Sequence, residues 1–214
     1  VGQGDCILIR YPFNLDNVLI DTGKPEQFKN VLTFLQAKGI SEIQTMIITH
    51  DDLDHSGNMD HIAEVFSIKE IVTSHLDVIQ SEKLMFLDLN DIENEDKNES
   101  SIVLYTEMNQ KKYLFMADSD SITEERIIEK YGNLKCDILK LSHHGSNTGS
   151  CDRFLDAVQP EISVISSGPY YLYHHPSPAV IQRLLKRHIP YFDTKEEGDM
   201  TILFLPGCNI FITS

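Results

Sequence analysis

Thr49-His50-Asp51-Asp52-Leu53-Asp54-His55-Ser56-Gly57-Asn58 follows the apolar run Met46-Ile47-Ile48 and packs two imidazoles and three carboxylates into six residues. In a folded interior these groups would repel and desolvate one another unless a cation neutralised them, because an unpaired buried carboxylate is very costly. A bound metal is the simplest explanation. Side chains of an extended segment alternate in direction, so His50 and Asp52 are expected on one side, with Asp54 and His55 diverging after the turn. That spacing suits two metals rather than one. The competing reading is an acidic surface loop whose Asp and Ser residues start a helix.

Working back toward the start, residues 43–49 read as a strand, and 25–38 as a helix with Phe28, Val31, Leu32 and Leu35 at helical spacing, Pro25 near its start and Gly39 past its end. Further back, Cys6-Ile7-Leu8-Ile9-Arg10 and Val18-Leu19-Ile20-Asp21-Thr22-Gly23 predict a hairpin. Asp21 is either a carboxylate that orients the metal site from behind or a simple turn residue. The metal-rich turn therefore stands at the C-terminal end of a strand, where α/β architectures place their sites.

Working forward, 58–66 reads as a helix with His61 on its surface, and 69–74 and 84–89 as strands, with His75 in a loop after the first. The acidic run 90–100 predicts a solvated linker. Ser101 to Tyr105 and Lys112 to Met116 flank Asn109-Gln110-Lys111 and predict a hairpin, after which Asp118 takes the same position as His50, directly behind a buried strand. A helix over 123–131, capped by Thr123 or Ser121, and a strand over 136–141 lead to Ser142-His143-His144-Gly145-Ser146-Asn147-Thr148-Gly149. Adjacent histidines face opposite ways, so one reaches the metals while the other is hydrogen-bonded or open to substrate, and Ser146 and its small polar neighbours suit phosphate contacts. A helix over 152–158 and a strand over 162–166 open into Tyr170-Tyr171-Leu172-Tyr173-His174-His175-Pro176, in which Pro176 biases His175 to an extended shape. A helix over 178–188 that ends at His188, a strand over 190–193 and a hairpin of 200–205 with 209–213 complete the chain.

At 214 residues the chain reads as a single domain, 1–214, with two half-domains as the alternative. Apolar residues make up 41% and no apolar run approaches the roughly 20 residues that span a bilayer, so membrane insertion by this stretch is not expected. A formal charge of −15 argues against holding nucleic acid through a broadly basic surface, yet two divalent cations would place positive charge where a phosphate must sit. Cys6, Cys136, Cys151 and Cys208 form no CxxC pair, and Cys6 and Cys136 are expected as buried free thiols. The chain opens on Val1 within strand-like sequence, which leads us to expect a longer protein trimmed upstream.

Thr49-His50-x-Asp52-x-Asp54-His55, then Asp118, then His175, in this order and at strand ends, resembles the metallo-β-lactamase superfamily, whose fold is α/β: an αββα four-layer sandwich of two mixed sheets with helices outside. Val1-Gly2-Gln3-Gly4-Asp5, Ser101-Ile102-Val103-Leu104, Leu139-Lys140-Leu141-Ser142-His143-His144-Gly145-Ser146 and Tyr173-x-His175-Pro176 look like the C-terminal extracytoplasmic domain of ComEC-type DNA-uptake proteins. The resemblance implies that His50, Asp52, Asp54, His55, Asp118 and His175 are metal ligands, with Asp118 bridging two divalent ions and His143 or His144, the latter preferred, completing the set. Asp52 stands where the superfamily motif usually has a second histidine, and no third-motif histidine is found between 56 and 117. A carboxylate in that place makes the site harder and shifts preference from zinc toward manganese or magnesium.

The function implied is a two-metal phosphodiesterase that degrades DNA during uptake, with Asp54 and Asp118 orienting the attacking hydroxide and His143 or His144 near the phosphate or leaving group. Tyr170, Tyr171 and Tyr173 are candidates to stack exposed bases of single-stranded DNA. The alternatives are a phosphorylcholine-type esterase with a tyrosine cage for quaternary ammonium, and a non-catalytic DNA-binding module; a lactonase or β-lactamase is disfavoured by the His143-His144-Gly145-Ser146 run. The resemblance also implies an upstream membrane channel and a place outside the cytoplasm, whereas a stand-alone chain would be soluble and cytoplasmic.

Overall fold

Within Val18-Leu19-Ile20, the first and third side chains enter one apolar cluster and the middle one enters another, as the two-residue period of a strand requires. A strand apolar on both faces must be covered on both. The same division recurs at Met46 against Ile47 and at Leu114 against Tyr113 and Phe115. It produces four layers. The computed structural model describes residues 1–93, 96–168, 173–205 and 208–213. Tyr170 and Tyr171 lie outside the described residues.

The first sheet runs β1-β2-β3-β4, with β1 (Ile7–Arg10) antiparallel to β2 (Asn17–Ile20), and β2, β3 (Glu42–Ile47) and β4 (Ser67–Val72) parallel. The second holds an antiparallel meander, β5 (Val78–Gln80), β6 (Met85–Asp88), β7 (Leu104–Met108) and β8 (Lys111–Phe115). It continues in parallel through β9 (Ile138–Lys140), β10 (Ile162–Ile165) and β11 (Tyr191–Asp193). β12 (Met200–Leu205) and β13 (Cys208–Thr213) form a separate two-stranded ribbon.

Ile20 and Ile47 from the first sheet meet Phe86, Leu104 and Phe115 from the second, forming the layer between sheets. Outside the first sheet, α1 (Phe28–Ala37) and α3 (Met59–Val65) pack Leu35 and Ile62 on Leu19 and Met46. Outside the second, α4 (Ser121–Tyr131), α5 (Asp152–Val158) and α6 (Pro178–Lys186) pack Ile127, Phe154 and Leu184 on Leu114 and Leu139. This is the αββα sandwich expected from the sequence. Each fully buried side chain of this kind contributes about 1.5–3 kcal/mol.

Several local expectations change. The helix expected over 58–66 is α3, and a further short helix, α2 (Leu53–Ser56), precedes it, so the turn expected to carry Asp54 and His55 is helical. The hairpin is shifted: Asn109 and Gln110 form its two-residue turn, both with left-handed backbone, and Met108 pairs with Lys111. Left-handed pairs of this kind match strand twist and set the register. Ser101 to Val103 instead link the sheets, the Ile102 amide donating to Thr49 O at 2.9 Å. Asp120, rather than Thr123 or Ser121, caps α4, accepting from the Ile122 and Thr123 amides. Cys136 is free and buried as expected, whereas Cys6 is free but only half-buried.

Candidate metal centre

Because β2 and β3, and β8, β9 and β10, run parallel within their sheets, their C-terminal ends bring Asp21, His50, Asp118, His143, His144 and Ser166 to one rim of the sandwich. The backbone there is unusual. Asp21, Ala117, His143 and His144 all have positive φ, between 45° and 57°, a conformation that for non-glycine residues concentrates at functional sites.

Asp21 organises the first group of candidate ligands. Its Oδ2 accepts from His55 Nδ1 at 2.8 Å, and both its oxygens contact the Thr49 hydroxyl, at 3.1 and 2.9 Å. Thr49 Oγ1 lies 3.1 Å from His50 Nδ1. With its one proton given to Asp21, the hydroxyl accepts from His50, so each imidazole keeps an Nε2 lone pair facing inward. The choice between roles for Asp21 is thus resolved in favour of orientation. Asn58 and Thr22 tie the neighbouring turns together, with Asn58 Nδ2 donating to Thr22 O at 2.8 Å.

His144 belongs to the second group. Its Nδ1 donates to Ser166 O at 2.8 Å, which turns Nε2 toward Asp118 Oδ1 at 3.3 Å and Asp54 Oδ2 at 3.6 Å. His144 is 1% exposed. Behind it, Asp5 Oδ1 stands 3.7 Å from Nδ1, and the buried Lys140 ammonium ion-pairs with Asp5. Gly4, at φ 137°, permits this approach: a Cβ there would meet Asp54 O at 2.4 Å. The Asp5 amide donates to that same carbonyl at 3.1 Å.

Asp118 joins the two groups, with Oδ1 3.2 Å from His55 Nε2 and Oδ2 3.6 Å from His143 Nε2. His50 Nε2, His55 Nε2, His144 Nε2 and Asp118 Oδ1 are all buried without a hydrogen-bond partner. His50, His55 and Asp118 offer ligand atoms within 4.8 Å of one another, as do Asp54, His55 and His144, and Asp5, Asp118 and His144. Lone pairs and a carboxylate oxygen converging unsatisfied are costly unless a cation shares them. The residues present therefore fit a divalent metal. Mixed imidazole and carboxylate donors suit zinc or manganese.

Electrostatics follow from this convergence. Burial opposes charge on His55, but Asp21 and Asp118 outweigh it and raise its pKa well above 6.5. Burial likewise opposes charge on His144, yet Asp118 and Asp54 raise it to about 9. Asp54, despite burial, is held at about 2 by His144 and His55. His175 goes the other way, down to about 4, through burial and the neighbouring His143 and His144.

Four sequence candidates lie apart from this convergence. Asp52 Oδ2 is 3.8 Å from His50 Nε2, but its Oδ1 binds Lys97 at 3.0 Å. Lys97 also holds Asp51, at 2.9 Å, which anchors the expected acidic linker to the rim. His175 Nδ1 accepts from Gln3 Nε2 at 3.2 Å, an orientation fixed because Gln3 Oε1 receives the Gly168 amide. Its ring stands 5.9 Å from that of His143, edge-on. The Ser146 hydroxyl is engaged by Thr148 at 3.0 Å, and Tyr173 is exposed beside His175, their centroids 6.2 Å apart. His75 is structural: its Nδ1 donates to Asp88 at 2.6 Å.

In the sequence, Gln3, Asp5 and Lys140 enter only through the motifs of the resemblance, with no role, and Glu124 not at all. Glu124 is buried and accepts from Ser142 Oγ at 2.7 Å and the Cys151 amide at 2.9 Å, clamping the His143-His144 loop; burial raises its pKa. A visible signal existed for one of them. Lys140 is a charge inside the apolar run Ile138 to Leu141 and implies a buried partner.

Four layers with His and Asp side chains gathered at one rim define a metallo-β-lactamase-fold domain. Residues 1–94 match the metallo-beta-lactamase superfamily. The metallo-beta-lactamase fold protein YhfI from Bacillus subtilis superposes with a TM-score of 0.60 over 90% of this chain and 89% of that one, at 11% identity. Sequence similarity extends to curated bacterial proteins. The chain is 28% identical over 243 residues to ComE operon protein 3 of Bacillus subtilis (strain 168), covering 92% of this chain and 31% of that protein. It is 30% identical over 212 residues to competence protein ComA of Neisseria gonorrhoeae, covering 92% and 30%. The chain thus spans about three tenths of the length of these relatives. Among the described residues, no helix is long and apolar enough to cross a membrane.

Proposed function

We propose that this domain is a metal-dependent phosphodiesterase that hydrolyses DNA, holding two divalent ions, manganese or zinc with magnesium as a further option. The observation that carries the reading is the convergence of unsatisfied buried donors from His50, His55, His144 and Asp118, in a chain similar to competence proteins. When bound, the metals supply Lewis-acid charge for phosphate oxygens and lower the pKa of water. His50, His55, Asp54, Asp118 and His144 would hold them, with Asp52, now paired with Lys97, as a further candidate. Asp54 and Asp118 accept hydrogen bonds from the nucleophilic water and orient it. His143, a quarter exposed and 3.6 Å from Asp118, faces the substrate and donates a hydrogen bond from Nε2 to the leaving oxygen, which takes its proton from solvent. His175 stands beside His143, their ring centroids 5.9 Å apart, as a further candidate ligand.

One observation bears on the rival esterase reading. The Lys24 ammonium lies 5.1 Å from the Tyr173 ring centroid, so a trimethylammonium group would meet a resident positive charge. In a longer protein the domain acts beside a membrane channel on the extracytoplasmic side, on one strand of incoming DNA. The test is to load the purified chain with manganese, zinc or magnesium and offer single-stranded DNA, duplex DNA, a phosphorylcholine ester and a β-lactam. Metal-dependent cleavage of single-stranded DNA is expected. DNA left intact under every metal while an ester is cleaved would overturn the reading, and full metal occupancy with no hydrolysis would favour a binding module.

A further inference from the structure

Resting on the phosphodiesterase reading, we infer that Lys24 and Tyr173 form a nucleotide subsite beside the metal centre: Tyr173 stacks on a base of single-stranded substrate and Lys24 pairs with the adjoining phosphate. A cavity of about 280 Å³, lined by Lys24, Pro25, Glu26, Leu53, Asp54 and Tyr173, shares its Asp54 wall with the centre. Its chemistry is that of a nucleotide. Tyr173 is 51% exposed and Leu53 67% exposed, two large apolar side chains left uncovered around one opening. Exposed apolar and aromatic surface collected at a polar cleft marks a binding site.

Among the described residues Lys24 has no carboxylate partner within ion-pair distance, in a chain of formal charge −15. Its backbone is fixed in place. Asn58 Nδ2 donates to Lys24 O at 2.7 Å and to Gly23 O at 3.1 Å, and Asn58 is itself buried. A cation on a pinned loop beside a cavity suits an anion, and Glu26 stands exposed at the rim, where solvent screens it. Lys24 lies over the Tyr173 ring and His175 stands beside it, and the ring keeps enough exposed surface to stack on a base. From Tyr173 the rings continue through His175, tilted 30°, to His143. A strand with one phosphate beside His143 is thereby led toward the cavity. Bases paired inside a duplex offer no free face to Tyr173, so the subsite selects single strands.

The test measures steady-state cleavage of a single-stranded oligonucleotide by the metal-loaded chain across a series of salt concentrations. Tyr173→Ala is expected to raise KM about tenfold, with kcat largely kept, and Tyr173→Phe to behave as the native chain. Lys24→Ala is expected to raise KM and to flatten the log–log salt slope by about 0.7, while Lys24→Arg restores both. If the native chain cleaves single strands and both alanine variants match it in KM and slope, the subsite is overturned and the nuclease reading stands. If the native chain neither cleaves nor binds DNA, both fall together.

Discussion

The two walls of the metal centre hold their histidines by different means. On the wall built from the first sheet, one carboxylate, Asp21, positions His55 directly and His50 through Thr49. On the wall built from the second sheet, His144 is oriented by a backbone carbonyl, Ser166 O, and backed by the Asp5–Lys140 ion pair. The first arrangement hands charge to the ligand, raising its basicity. The second keeps the charge balanced a layer behind. The first wall should therefore govern metal affinity, and the second the stability of the fold.

The sharpest way to break that contrast is Lys140→Met, which leaves Asp5 buried without its partner. Urea unfolding is expected to show a loss of about 3–5 kcal/mol, largely recovered in the Asp5→Asn, Lys140→Met double variant. An unchanged midpoint would mean the pair does not brace the second wall. Asp118→Ala, which cuts the link between the walls, is expected to lower DNA hydrolysis about a hundred- to a thousandfold and to reduce bound metal in elemental analysis. Asp21→Asn tests the first wall. Metal affinity, read by competition with a chromophoric chelator, is expected to fall about 10–100-fold while the chain stays folded.

The smallest effect concerns pH. The Asp88 bond raises the pKa of His75 above 6.5, against the opposing effect of partial burial. That stabilisation is fully present below 6.5 and fades as pH rises through the elevated native value. His75→Gln is expected to lower stability by about 1 kcal/mol on the acid side and to lose this alkaline-side decline in melting temperature. Metal content should not move, since His75 lies outside the centre.

Legibility in the sequence follows the same division. His50, Asp54 and His55 fall within one short stretch, so the first wall announces itself as a density of donors. Strand ends carrying Asp118 and His144 could be read because a buried strand followed by a polar ligand is a local pattern. The pairing of Asp5 with Lys140 joins residues far apart in the chain, and no local rule connects them. The Lys97 partner of Asp52 was illegible for a related reason. Spacing places Asp52 beside His50, but Lys97, arriving from a distant loop, draws one carboxylate oxygen outward. The shift of the hairpin to Met108 and Lys111 was hidden because Ile102 and Val103 are as apolar and buried as a strand, although they precede β7 and Ile102 bonds across to Thr49 beside the first sheet.

The left-handed backbone at Asp21, Ala117, His143 and His144 has a consequence for how this surface can change over generations. An ordinary residue in that conformation costs about 1–2 kcal/mol relative to glycine. At Ala117, the one of the four without a polar side chain, replacement by glycine would release this strain while also loosening the turn that aims Asp118. Drift at that position therefore trades a firmer fold against a steadier aim.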